Sequence, residues 1–333
     1  MKFVLPWHED RWLELNRIVE SERLSHALLF YGRDGLGVEQ LAFSLAAKTL
    51  CEGDDLAACG DCRACRLFQA DTHPDFKLIA PSEQGKSIVV DQVREIAEFY
   101  ALKSHYARAK IVLIHPANAM NRAASNAILK ILEEPPPGAL LLLVAHRLSS
   151  ISMTIRSRCV RFACDQIDRK IALAWLSKEL PELDDNAINS LYSLSGGAPL
   201  SARDLASAGG TEIEVEMLAT FKRIVASPAA IFNESKNFSD LPLSELQRHL
   251  NSLTLRLILA KFGLRTHYER SDRVVDGDLQ GLVDHLNLKN LYALLDLIVE
   301  SKAISSRQSG LREPDLAESL WLGLADCAHA SVN

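Results

Sequence analysis

Residues 27–39 read Ala27-Leu28-Leu29-Phe30-Tyr31-Gly32-Arg33-Asp34-Gly35-Leu36-Gly37-Val38-Glu39, an apolar run that leads into a glycine-rich loop. The short, continuous run predicts a strand buried on both faces, and the pattern after the loop predicts a helix over 38–50. Gly32 and Gly37 keep the spacing of the phosphate-binding loop G-x-x-x-x-G-K-[ST], which joins such a strand to such a helix. This unit predicts the start of an α/β domain with a mostly parallel sheet.

The two positions that carry the chemistry of a phosphate loop are altered. Val38 stands where the phosphate-binding Lys belongs, and Glu39 stands where the Mg²⁺-binding Ser or Thr belongs. A carboxylate at this place repels a triphosphate, and the loss of the Lys removes the main charge partner of the phosphates. The predicted strand over 111–114 is followed by His115-Pro116-Ala117-Asn118, without the acidic residues that hold Mg²⁺ in the P-loop ATPases.

The sequence therefore predicts a degenerate phosphate loop and no ATP on this chain. The loop residues concerned are Gly32, Gly35, Gly37, Val38 and Glu39. On these residues alone, a glycine-rich turn that never bound phosphate stays an open alternative.

The rest of the first half continues the alternation of strands and helices. Further strands are predicted over 76–80, 111–114, 140–145 and 160–162. Helices are predicted over 90–102 and 119–134, and the second stops at three consecutive prolines that begin with Pro135.

After about residue 165 the strand patterns disappear. Helices are predicted over 167–180, 184–196, from 201, from 211, and over 244–262, 279–286, 288–303 and 315–328. Two of them begin with a predicted capping box, Thr211 with Glu214 and Ser244 with Gln247. We therefore expect three domains: an α/β domain over 1–165, a small helical lid over 166–208 and a C-terminal helical domain over 209–333.

Four of the seven cysteines cluster between positions 51 and 65. Cys51, Cys59, Cys62 and Cys65 have the spacing Cys-x7-Cys-x2-Cys-x2-Cys, which suits a closed tetrahedral zinc site of structural type. An iron–sulfur cluster is less well matched, because the ferredoxin pattern has a fourth Cys three residues further on, followed by Pro. Cysteines without a metal are the third possibility.

Composition and charge restrict the class of protein. The chain has 333 residues, of which 48% are hydrophobic, and a net charge of −6, which fits a globular protein and excludes a disordered one. A protein that coats nucleic acid on its own carries an excess of Lys and Arg on its binding surface, so the acidic balance of this chain argues against that class. The longest apolar run has far fewer than the roughly 18 residues of a membrane span, and the N-terminus lacks a signal-peptide pattern, so we expect a cytoplasmic protein without a membrane partner.

A loop after the predicted strand 140–145 contains Ser157-Arg158-Cys159. Arginine is permanently charged and presents a planar fork to phosphate oxygens, so an Arg in such a loop can act at a neighbour's active site as an arginine finger. Taken alone, an Arg in a loop is more often an ordinary surface residue.

The stretch Ala124-Ser125-Asn126-Ala127-Ile128-Leu129-Lys130-Ile131-Leu132-Glu133-Glu134-Pro135-Pro136, followed by Ser157-Arg158-Cys159, resembles the clamp-loader subunits of the AAA+ class. The cysteine module after the phosphate-loop helix is similar to that of the bacterial DNA polymerase III clamp loader. Together with the altered loop, it resembles the clamp-loader member that lacks ATPase activity.

This resemblance implies a fold and a set of roles. The fold is an AAA+ domain with a zinc module at about 51–65, followed by a helical lid and a C-terminal all-α collar for oligomerisation. Cys51, Cys59, Cys62 and Cys65 match the zinc ligands, and Arg158 matches the finger that reaches the ATP of an adjacent motor subunit.

The implied partners are the tau/gamma motor subunits and the delta subunit in a hetero-pentamer of the DNA polymerase III holoenzyme, in the replisome at the nucleoid. Through that complex the chain would act on the sliding clamp and primed DNA. Two alternatives remain: an active ATPase motor subunit of the same family, and a zinc-containing replication adaptor without a role at an ATP site.

Overall fold

Five parallel strands form one sheet with the order β2-β3-β4-β1-β5. The strands are β1 Ala27–Tyr31, β2 Phe76–Ile79, β3 Lys110–Ile114, β4 Ala139–Ala145 and β5 Val160–Ala163. The computed structural model describes residues 4–21, 24–53, 55–83, 86–104, 109–262, 283, 286–306 and 312–329. All five predicted strands are present, and their ends lie within one residue of the expected positions. The register places Leu28 beside Leu142 of β4 and Val160 of β5.

Helices cover both faces of the sheet, which is why the central strands β1, β3 and β4 are almost fully buried. In chain order they are α1 Glu9–Glu20, α2 Val38–Leu50, α3 Arg63–Gln69, α4 Val90–Ala101, α5 Arg122–Glu133 and α6 Met153–Arg156. Alternate residues of β1 separate the two cores: Leu28 and Phe30 pack with α1 and α2, whereas Ala27 and Leu29 pack with α4 and α5. The predicted α/β class with a parallel sheet is confirmed.

The chain divides into two compact units, Met1–Trp175 with Ala198–Ser201, and Leu176–Gly197 with Ala202–Asn333. The second unit is helical, as the sequence predicts. The remaining helices are α7 Arg169–Glu179, α8 Asp185–Leu194, α9 Pro199–Ser207, α10 Gly210–Ala226, α11 Ile231–Glu234, α12 Leu243–Lys261, α13 Leu288–Ser306 and α14 Glu313–His329. The predicted boundaries of three domains stay a prediction, and the predicted helix over 279–286 lies outside the described residues except for Val283 and Leu286.

The helical unit has its own apolar core, built mainly by α10, α12, α13 and α14. Phe221 of α10, Leu250 of α12, Leu291 of α13 and Leu320 of α14 are fully buried in it. In the part of the chain that the structure describes, no helix combines the length and apolar character that a membrane crossing requires.

Both predicted capping boxes were wrong. Helix α10 begins at Gly210 after the N-cap Gly209, and α12 begins at Leu243 after the N-cap Pro242. The acceptors expected at the caps have tertiary partners instead: Glu214 pairs with Arg256, and Gln247 donates a hydrogen bond to Ser301 Oγ at 2.7 Å. A local sequence pattern does not reveal that a side chain bonds to a distant segment instead of to the start of its own helix.

We expect the buried His249 of α12 to make the stability of the helical unit depend on pH. Its side chain is buried, neither ring nitrogen has a hydrogen-bond partner among the described residues, and burial, helped by Arg248, lowers its pKa to about 4. The unfolded chain, with a His pKa of about 6.5, therefore takes up the proton first as the pH falls, so stability present above pH 6.5 is lost between pH 6.5 and pH 4.

We expect this linkage to cost about 2 kcal/mol between pH 7.5 and pH 5, and the His249→Leu variant to lack this component. Thermal melts of both proteins at the two pH values measure the difference. Equal pH dependence of the two proteins would contradict the assignment.

Candidate functional site

The four clustered cysteines converge at the junction of α2 and α3. Cys51 follows the last residue of α2, Cys62 is the N-cap of α3, and Cys65 lies in the first turn of α3. Gly60, with a φ of +86°, allows the tight turn between Cys59 and Cys62. The sequence spacing thus places all four sulfurs on one side of a short loop.

The sulfur positions fit a single tetrahedral ion. All four Sγ atoms lie within 4.8 Å of one another, and three of the separations are 3.6 Å for Cys51–Cys59, 4.0 Å for Cys51–Cys62 and 3.9 Å for Cys59–Cys65. Zn–S bonds of about 2.3 Å give tetrahedron edges of about 3.8 Å. Thiolates of an iron–sulfur cluster bind separate irons and lie further apart. The cluster can therefore hold a metal ion such as zinc.

Backbone N–H groups support thiolates at this cluster. The N–H groups of Gly53 and Cys59 donate to Cys51 Sγ at 3.3 and 3.4 Å, and that of Cys65 donates to Cys62 Sγ at 3.3 Å. The N–H of Cys62 is the main cause that lowers the pKa of Cys59 to about 6, whereas burial raises the pKa of Cys65. Donors aimed at sulfur favour the deprotonated form that binds a metal.

The glycine loop between β1 and α2 directs some of its N–H donors at carboxylates of this chain. The N–H of Arg33 donates to Asp165 Oδ1 at 3.1 Å, and that of Gly35 donates to Asp34 Oδ1 at 3.0 Å. In a functional phosphate loop the backbone N–H groups cradle phosphate oxygens instead. Two internal anionic acceptors thus occupy donors of the loop.

Carbonyl groups of the same loop are also held by the chain itself. Trp7 Nε1 donates to the carbonyl oxygen of Leu36 at 2.9 Å, and His8 Nε2 lies 2.7 Å from the same oxygen. The N–H of Leu200 donates to the carbonyl oxygen of Gly35 at 3.1 Å. These contacts fix the loop from two sides.

Two glycines of the loop are required by its conformation and by close neighbours. Gly35 has a φ of +75° and Gly37 a φ of +72°, which side chains rarely adopt. A Cβ atom on Gly35 would come within 2.0 Å of Ser201 Oγ, and one on Gly37 within 2.2 Å of Leu5 Cδ1. The loop is therefore packed under other segments of the first unit.

The first turn of α2 and the ends of β3 and β4 place a mixed group of side chains beside the loop. Val38 is buried in the core, and burial raises the pKa of Glu39. His115, which follows β3, lies with its ring centroid 6.0 Å from that of His146, which follows β4. Burial, with His146 as a further cause, lowers the pKa of His115. Both shifts favour neutral forms of these groups.

Arg158 lies in the turn between α6 and β5, with about a third of its side chain exposed. Its Nη1 donates to the carbonyl oxygen of Thr154 at 3.0 Å and to Ser157 Oγ at 3.4 Å. Its Nη2 lies 2.6 Å from Glu133 Oε1 at the end of α5. The neighbouring Cys159 is partly buried, and burial raises its pKa to about 11.

The family described as "DNA polymerase III, delta subunit" matches residues 7–168, the range that holds the cysteine cluster, the glycine loop and Arg158. A protein of Pseudomonas aeruginosa called DNA polymerase III subunit delta' is 34% identical over 323 residues, which cover 97% of this chain and 96% of that protein. The chain belongs to the delta-prime family of DNA polymerase III subunits. A delta-prime protein of Haemophilus influenzae is 34% identical over 221 residues, or 66% of this chain and 67% of that protein.

A DNA polymerase III subunit tau/gamma of Haemophilus influenzae is 31% identical over 201 residues, which cover 58% of this chain but 29% of that protein. This chain is thus similar in sequence to that tau/gamma subunit over part of its length. Membership of the delta-prime family confirms the resemblance found in the sequence; the roles assigned to individual residues stay predictions.

For this delta-prime chain, the structure brings together the four predicted metal ligands but does not join Arg158 to the glycine loop. Among the described residues, the side-chain contacts of Arg158 go to Thr154, Ser157 and Glu133. Sequence reasoning missed the role of Glu133 as the ion-pair partner of Arg158. The available signal was that Glu133 and Arg158 both belong to the two motifs that carry the resemblance to clamp-loader subunits.

Proposed function

We propose that this chain is the non-ATPase subunit of the DNA polymerase III clamp loader. It supports ATP-dependent loading of the sliding clamp onto primed DNA and provides Arg158 in trans to the ATP of a tau/gamma motor subunit. The observation that carries the proposal is a fixed, partly exposed Arg158 in a unit whose own glycine loop bonds to carboxylates of the same chain.

The glycine loop supports a chain that does not use ATP itself. Val38 is buried in the core, so the helix offers no cation at the position of the phosphate-binding Lys. Glu39 at the next position lacks the hydroxyl that binds Mg²⁺, and Asp34 and Asp165 accept from loop N–H groups. A triphosphate would have to displace two carboxylates and gain no lysine in exchange.

The surroundings of Arg158 support a role toward a neighbouring subunit. The guanidinium is permanently charged, is held by hydrogen bonds and an ion pair, and keeps part of its surface exposed. A preorganised cation stabilises the charge that develops on a transferring phosphoryl group. Within this unit Arg158 does not bond the glycine loop among the described residues, so its phosphate would belong to another chain.

Zinc is proposed as a structural ion. Cys51, Cys59, Cys62 and Cys65 would hold it as a closed site of four thiolates, which leaves no position for substrate. The chemistry that the ion supplies is cross-linking of the α2–α3 junction, where Cys51 and Cys65 are part of the apolar core.

The partners proposed are tau/gamma and delta subunits in a hetero-pentamer, with the helices of 209–333 as the collar. Exposed apolar side chains on this segment, such as Phe232, Val299 and Leu322, are consistent with further burial in an assembly. A place in the replisome at the nucleoid follows from this assembly.

Reconstitution of the complex with the Arg158→Ala variant tests the proposed function. We expect normal assembly, with lower ATPase and slower clamp loading. An arginine finger is worth about 10³- to 10⁵-fold in rate at its own site, but the other motor sites keep their activity, so the total ATPase falls by a smaller fraction. The matched control is Arg161→Ala, which removes an exposed arginine three residues away.

Unchanged ATPase and loading with Arg158→Ala would contradict the finger. Binding of ATP by the isolated chain at micromolar concentration would favour the motor-subunit alternative. Gel filtration with motor subunits separates the proposal from a free-standing adaptor, which need not enter the pentamer.

A further inference from the structure

The ion pair between Glu133 and Arg158 joins two segments that are 25 positions apart in the sequence. Glu133 Oε1 lies 2.6 Å from Arg158 Nη2, and both side chains keep part of their surface exposed. The pair therefore lies where a second molecule can reach the guanidinium without unfolding of this unit.

The backbone that carries Glu133 is held in place by contacts with neighbouring segments. Glu133 is the last residue of α5, and the preceding Leu132 is buried in the core. His26 Nε2 lies 3.1 Å from the carbonyl oxygen of Leu132. The N–H of Glu134 donates to the carbonyl oxygen of Lys130 at 3.0 Å. The backbone that carries the carboxylate is thus held by the buried side chain of Leu132 and by the contact with His26, which directly precedes β1. A fixed backbone suits a residue that orients another side chain.

The segment that carries Arg158 is fixed in a similar way. Ser152 caps α6, Ile155 is buried, and the N–H of Arg158 donates to the carbonyl oxygen of Ile155 at 3.0 Å. The carbonyl oxygen of Thr154 accepts from both Ser157 Oγ and Arg158 Nη1, each at 3.0 Å. Glu133 is the contact that comes from a different segment and fixes the far end of the guanidinium.

The contacts leave donors of Arg158 available. A guanidinium has five N–H groups. Nη1 donates to the carbonyl oxygen of Thr154 and to Ser157 Oγ, and Nη2 lies 2.6 Å from Glu133 Oε1 as an ion-pair contact. Within the described ranges, no hydrogen bond from Nε or Nη2 is formed and Nη2 has the ion-pair contact with Glu133, so the guanidinium keeps N–H donors that can bind a phosphate oxygen.

We propose that Glu133 is a positioning residue for Arg158: its carboxylate holds the guanidinium so that the remaining N–H donors are presented to the γ-phosphate of the neighbouring subunit. This inference rests on the proposed function of Arg158 as an arginine finger. Glu133 does not itself touch the nucleotide; it reduces the number of orientations that the finger samples.

The test uses the reconstituted clamp loader with four forms of this chain: wild type, Glu133→Ala, Arg158→Ala and the double variant. The quantity measured is the Arg158-dependent ATPase, which is the wild-type rate less the rate with Arg158→Ala. We expect Glu133→Ala to reduce this part by about two- to fivefold at saturating ATP, the range for one partly exposed ion pair, with the KM for ATP little changed. Glu133→Gln, which keeps an acceptor oxygen, should recover part of the loss.

The double variant should be no slower than Arg158→Ala alone, because Glu133 acts through Arg158. Additive losses, a raised rate with Glu133→Ala, or a loss equal to that of the control Glu134→Ala would each overturn the inference. Glu134 is the matched control because it is the adjacent exposed carboxylate and makes no side-chain bond among the described residues. If Arg158→Ala itself leaves the ATPase unchanged, the proposed function fails. If Arg158→Ala lowers the ATPase but Glu133→Ala leaves it unchanged, only the positioning role of Glu133 fails.

Discussion

Replacement of Cys65 with serine should reduce bound zinc from about one equivalent to nearly none and markedly lower the melting temperature of the first unit. Cys65 is buried, and its sulfur lies 3.9 Å from that of Cys59 in the cluster. Structural zinc sites contribute apparent binding free energies of about 10–16 kcal/mol, and a serine hydroxyl does not replace a thiolate ligand. Because Cys51 and Cys65 also belong to the apolar core of the first unit, loss of the ion should loosen the packing of α2 on α3.

Metal analysis of the purified chain and thermal melts with and without a chelator measure the two effects. The matched control is Cys327→Ser in the helical unit, a buried cysteine whose sulfur donates to the carbonyl oxygen of Asn290, which a serine hydroxyl can also do. This variant should keep its zinc. Less than half an equivalent of zinc in the wild-type chain, or absorbance of an iron–sulfur cluster, would contradict the zinc assignment.

The cysteine cluster was predictable from the sequence because its geometry is local. Cys59, Cys62 and Cys65 are three residues apart, so any compact turn brings their sulfurs together, and Cys51 is near in the chain. The central strands β1, β3 and β4 were predictable for a related reason: they are buried on both faces, so most of their residues form apolar runs.

Contacts between distant segments were not predictable in this way. Nothing in the pattern around Asp165 indicates that its carboxylate accepts the N–H of Arg33, and nothing around Glu133 selects Arg158 as its partner. The failed capping boxes have the same cause, since Gln247 finds Ser301 on another helix and leaves its expected local role. Pairings of this kind depend on packing that a single sequence does not reveal.

The second large effect is expected at the start of β3, where Lys110 is buried with Asp75. Lys110 Nζ lies 4.0 Å from Asp75 Oδ1, donates to the carbonyl oxygen of Phe99 at 2.9 Å and lies 4.0 Å from the centroid of the Phe99 ring. Ser104 Oγ donates to the other carboxylate oxygen of Asp75 at 3.0 Å. Removal of one partner of a buried ion pair costs about 3–5 kcal/mol, because the charge that stays buried loses part of its compensation.

We therefore expect Lys110→Met to lower the melting temperature of the first unit by about 10 °C, at roughly 2–4 °C per kcal/mol for a domain of this size. The double variant Lys110→Met/Asp75→Asn should recover part of the loss, because the neutral amide of Asn costs less to bury than a carboxylate that has lost the nearby lysine charge.

The matched control is Lys77→Met on the neighbouring strand β2, where Lys77 Nζ lies only 2.7 Å from Glu95 Oε2 but both side chains are partly exposed. An exposed pair is worth about 0–1 kcal/mol, so this control should change the melting temperature little in spite of its shorter distance. Equal losses from Lys77→Met and Lys110→Met would show that burial does not set the cost, whereas the expected order means that solvent exposure outweighs distance at these two ion pairs.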